Sequence, residues 1–85
     1  MTVESIEKFL DEPLPEGKFI RIDFKKRNPI HGLIIRSRDY NDLKTKNFWR
    51  ILPMTAVDQW KKSQNIDLAR IFSGTDFVKL SVSKN

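Results

Sequence analysis

Apolar and polar positions alternate along this chain with a period that differs from segment to segment, and the period marks the element. Val3, Ile6, Phe9 and Leu10 recur at helical spacing while Glu4, Glu7, Lys8 and Asp11 fill the other side, which predicts an amphipathic helix over residues 1–12. Thr2 stands at its N-cap, and Pro13 and Pro15 forbid continuation beyond about Glu12. After the linker 13–17 the period becomes two. Ile20, Ile22 and Phe24 point one way, and Phe19, Arg21, Asp23 and Lys25 the other, as in a half-buried strand.

A basic turn, Lys25-Lys26-Arg27-Asn28, leads to a second strand from Ile30, in which Gly32 precedes Leu33-Ile34-Ile35. Apolar residues on both faces, beginning at a glycine, suit a strand that curls to serve two sheets. The stretch from Asp39 to Asn47 is rich in turn formers. It leads to a third strand, Phe48 to Leu52, ended by Pro53. A short helix is expected near 55–63, with Thr55 as cap, Val57 and Trp60 inward and Lys61-Lys62 at its C-terminal end, while 64–69 fits either more helix or a strand. Gly74-Thr75 suits the centre of a two-residue type II′ turn. That turn would set 72 opposite 77, 71 opposite 78, 70 opposite 79 and 69 opposite 80.

The fold class that follows is mainly β with short helices. It is a single domain of 85 residues, with helix 1–12, linker 13–17, and a small strongly bent five-stranded antiparallel barrel over 18–85 that carries the inserted helix near 55–63. A chain of this length buries only about two-thirds of its unfolded surface, which leaves little room for a deep catalytic cleft.

Charge sharpens the picture. Residues 1–16 hold five acids against one lysine, a net −4; the whole chain is +5, so the remainder holds +9. Such an excess attracts polyanions through counterion release. The expected hairpin would set Phe72 beside Phe77 and Arg70 across from Lys79. Like charges and bare rings side by side call for compensation, either from an acidic neighbour such as Asp23 or Asp76 or from a ligand. Single-stranded nucleic acid fits, since bases stack on aromatic faces while phosphates meet cations. The candidate stacking residues are Phe19, Trp49, Phe72 and Phe77, and the candidate phosphate contacts are Arg21, Lys25, Lys26, Arg27, Arg70 and Lys79. The same aromatics would also serve a protein-interaction or self-assembly module, with the acidic helix of one chain against the basic surface of another.

The run Ile20-x-Ile22-x-Phe24 through a turn to Ile30-x-Gly32 is similar to the first motif of the Sm-like proteins, the group that includes bacterial Hfq. Phe72-Ser73-Gly74-Thr75-Asp76-Phe77 resembles the skeleton of their second motif. The resemblance implies an N-terminal helix followed by a five-stranded, strongly bent sheet of the Sm-like or SH3-like kind, assembly into a ring, and RNA binding. Ser73 stands where that motif has arginine, and Asp39 and Asn41 do not have the spacing of the family's RNA-pocket pair. The resemblance therefore speaks more for shape than for base contacts in a ring pore.

Catalysis is not expected. Without cysteine there is no thiolate chemistry, and a lone histidine, His31, has no second histidine for a metal site. Asp39 and Asp42 could recruit a hard cation, although capping a turn is the ordinary role of such a pair. No phosphate-binding loop is found among three glycines, and no metal or cofactor is expected. The longest apolar run, three residues, is far below the roughly 20 that span a bilayer, and the acidic start is unlike a signal peptide. A cytoplasmic location, no membrane and possible homo-oligomers complete the expectation.

Overall fold

The computed structural model describes residues 1–83. Helix α1 spans Val3–Asp11, and the Thr2 hydroxyl caps it by accepting from the Ser5 amide at 3.1 Å. Its apolar stripe drives Ile6 fully into the core, with Val3, Phe9 and Leu10 packed around it. Strands β1 (Ile20–Phe24), β2 (Ile30–Ile34), β3 (Phe48–Pro53), β4 (Arg70–Ser73) and β5 (Phe77–Val82) form one antiparallel sheet in the order β4-β3-β2-β1-β5. Helix α2 (Tyr40–Thr45) precedes β3 and helix α3 (Val57–Ser63) follows it.

The sheet has two covered faces. Ile20, Ile22, Phe24, Trp49, Ile51, Phe77 and Leu80 gather with Ile6 on the inner face under α1. Leu52, Val57 and Ala69 form a smaller cluster on the outer face, joined by Phe19, Leu33, Ile35, Trp60 and Leu68. The apolar triplet at the end of β2 and just beyond it is thus divided, Ile34 inward and Leu33 and Ile35 outward, so this segment serves two faces of one sheet rather than two sheets. Gly32 is what lets β2 and β3 meet, because a Cβ there would lie 2.1 Å from the Leu52 carbonyl oxygen.

The last hairpin is not formed. β4 pairs with β3 and β5 with β1, so the two strands occupy opposite edges of an open sheet. Arg70 faces Ile51, Lys79 faces Asp23, Phe72 faces Trp49 and Phe77 faces Phe24. Ala69 and Leu80 are buried in different clusters while Ile71 and Val78 are exposed, so these four make no common apolar face. The physical reason lies at Gly74. It is not in the left-handed region that a type II′ turn requires; instead Ser73 caps a 3-10 turn over Gly74–Asp76. Glycine is needed there for space, since a Cβ would come within 2.2 Å of Asn47 Oδ1 and 2.7 Å of Ile6 Cδ1.

Two smaller differences have similar causes. Thr55 falls inside a 3-10 turn, Met54–Ala56, and α3 starts at Val57 without a side-chain cap, although Val57 and Trp60 do pack inward as expected. Segment 64–69 is neither helix nor strand: Gln64 closes α3 in the left-handed region, and Asn65 caps the 3-10 turn Ile66–Leu68.

Candidate nucleic-acid interface

The inward row of β1 ends at Phe24, where a bulge against β5 moves the pairing from Asp23–Lys79 to Phe24–Phe77. Phe77 sits edge-on to Phe24 with centroids 5.3 Å apart. Phe72 reaches the same ring from β4, centroids 5.4 Å apart and planes inclined at 54°. Two backbone bonds fasten the 3-10 turn between β4 and β5 to the rest: Lys25 N–H donates to the Asp76 carbonyl at 3.0 Å, and Gly74 N–H to the Asn47 carbonyl at 2.7 Å.

Arg27 folds back from the β1–β2 turn over this aromatic floor. Its guanidinium carbon lies 4.9 Å from the Phe72 centroid and 5.5 Å from that of Phe24. A cation so placed is attracted by the ring quadrupole, by about 0.5–1 kcal/mol at an exposed site. Phe24, Lys25, Lys26, Arg27, Phe72 and Asp76 line a cleft of about 480 Å³. An apolar floor, three cations and one carboxylate at its rim can hold a flat aromatic ring that carries an anionic tail.

The sequence-predicted residues divide among several places. Lys25, Lys26, Arg27 and Phe72 share the cleft. Arg21 and Lys79 lie together in a second depression on the outer face. Phe19 packs against the Leu52 cluster, and Arg70 lies on the β4 edge, so neither adjoins the Phe72 cleft. Trp49 and Phe77 are corrections. Each is only 1% exposed and offers no open ring face; Trp49 is held by Nε1–H donating to Asn47 Oδ1 at 2.8 Å and by Tyr40 against it. Phe24 was legible only as a core residue and Asp76 only as an acid near the turn; the available signal was an aromatic at a strand end directly preceding three cations.

Asp39 is engaged elsewhere. The Ser37 hydroxyl donates to one carboxylate oxygen and Arg50 to the other at 2.6 Å, and these bonds, Ser37 foremost, hold the carboxyl below its ordinary value. Among the described residues no group of three or more His, Asp or Glu is placed to hold a metal, and no helix is long and apolar enough to cross a membrane. Comparison with protein families, curated proteins and solved structures gives no match for this chain.

Proposed function

We propose that this chain is a non-catalytic binding domain for single-stranded nucleic acid, and that it holds RNA at the Phe24–Phe72 cleft. The half-buried Phe72 ring with Arg27 above it carries the reading. A base entering the cleft stacks on Phe72 with the guanidinium beside it, an arrangement worth about 1–3 kcal/mol per base. Lys25 and Lys26, both exposed, are positioned for the flanking phosphates. Asp76 repels phosphate but accepts hydrogen bonds, so it favours a ribose 2′-hydroxyl or a base N–H and thereby RNA over DNA. The curl that brings β4 onto β1 supports the finer architecture, a small barrel of the Sm-like or SH3-like kind behind an N-terminal helix. Titrating labelled oligoribonucleotides and their deoxy counterparts over a range of salt tests the proposal. Salt-dependent binding that favours ribose is expected; no binding at physiological ionic strength would rule it out.

A second reading, self-association, rests on the sheet edges. β4 and β5 each have one side without a strand partner among the described residues, and they expose Ile71 (46%), Val78 (58%) and Val82 (43%). Free edges with apolar side chains are templates for pairing with another chain.

A further inference from the structure

Beyond Phe19 and Leu33 the outer face of the sheet turns polar, and the strand register there builds a cluster that the aromatic cleft does not use. Arg21 of β1 is paired with His31 of β2 on one side and with Ser81 of β5 on the other, and the next outward residue, Asp23, is paired with Lys79. Cross-strand partners of this kind have neighbouring side chains on one face. Together with Val82 and Ser83 they line a depression of about 510 Å³.

We propose that Arg21, His31, Lys79 and Ser81 form a phosphate-binding site. The one carboxylate in the depression, Asp23, is taken by Arg21 Nε at 3.1 Å. That leaves the terminal nitrogens of Arg21 and the Lys79 ammonium without a carboxylate within 4 Å among the described residues. His31 Nδ1 shares a 2.9 Å hydrogen bond with the Ser83 hydroxyl, which orients the ring and leaves Nε2 as the nitrogen outside that bond; with Ser83 donating, Nε2 carries the proton. Donors from three strands thus line one depression. A planar carboxylate is satisfied by one arginine fork, whereas a tetrahedral phosphate has oxygens enough for all four groups. The donors sit on paired strands rather than a loop, so little ordering accompanies binding. Asp23 moderates the charge and sets the affinity for phosphate alone at a modest level.

This site deepens the RNA reading and rests on it for its biological source. Asp23 and Phe24 are consecutive on β1 and point to opposite faces, one bordering each depression, so a strand with a base on Phe72 reaches Lys79 by passing around the sheet rather than with the adjacent phosphate.

His31 is the chain's only histidine, so its imidazole proton resonances report on the site without ambiguity. Sodium phosphate is titrated at fixed pH, with ionic strength balanced by chloride. A saturable shift of the His31 signals is expected. Its midpoint should rise about tenfold or more in Lys79→Gln and in Arg21→Gln, and fall in Asp23→Asn, which frees Arg21. A shift that never saturates, or the same midpoint in wild type and Lys79→Gln, overturns the site. Oligoribonucleotides with a 5′-phosphate or a 5′-hydroxyl then identify the source. A shift with both assigns it to backbone diesters, with the first alone to a terminal phosphate, and with inorganic phosphate alone to a small phosphorylated molecule. In Phe72→Leu the phosphate-induced shift should persist even where RNA affinity drops, which separates failure of this site from failure of the cleft.

Discussion

The Phe24 and Phe72 rings lie 5.4 Å apart although their strands hold the fourth and first places in a five-stranded sheet. Rings on strands three places apart in the sheet thus share one contact, and that contact is sensitive to how far the sheet bends. A double-mutant cycle between Phe24→Leu and Phe72→Leu, read by urea unfolding, should return a coupling of about 0.5–1.5 kcal/mol. Additive effects would mean that the sheet is flatter in solution.

Gly32→Ala should be among the most damaging single changes. The new methyl would meet the Leu52 carbonyl, backbone that cannot turn aside as a side chain can, at 2.1 Å. Overpacking of this kind typically costs about 1–3 kcal/mol, and the rigidity of the opposing atom places this case at the upper end. Thermal unfolding of the variant measures it.

The Asp39 link to Ser37 and Arg50 should make stability depend on acid. The folded carboxyl titrates below its ordinary value of 3.8, so the unfolded chain takes up protons first as pH falls. The contribution is therefore complete well above pH 3.8 and is lost as pH drops through the depressed folded value. Asp39→Asn should lower the urea midpoint at pH 7, and the gap between variant and wild type should narrow on acidification toward about pH 2.

The open edges predict the behaviour of a charge placed on them. If chains associate through β4 and β5, Ile71→Lys or Val78→Lys should shift light-scattering mass to the monomer without loss of folding, because both positions are exposed. A wild-type chain that stays monomeric over a wide concentration range would remove the self-association reading.

Much of the fold was legible in the sequence. The period of Ile20, Ile22 and Phe24, the Thr2 cap and the division of Leu33-Ile34-Ile35 between two faces follow from local alternation, and local alternation held. The final hairpin did not follow, because Gly74 looks the same whether it supplies a left-handed φ or room for Asn47 and Ile6, and only the tertiary neighbours decide. Helix α2 was hidden among turn formers for a related reason: Asp39 turns its carboxylate to Arg50 instead of capping the helix it precedes. The candidate site was half visible. Lys25, Lys26, Arg27 and Phe72 could be named, but their meeting with Phe24 depends on curling, which no short window of sequence contains.

The central claim is that a base stacks on Phe72 with the Arg27 guanidinium beside it. Its most direct test compares wild type with Phe72→Leu, which keeps an apolar side chain in the floor but removes the ring face, by fluorescence anisotropy of one labelled single-stranded RNA over a range of salt. The variant should bind about tenfold or more weakly at each salt concentration, with an unchanged slope of log affinity against log salt, because stacking is lost and phosphate contacts are not. Equal affinity for wild type and Phe72→Leu would contradict the account.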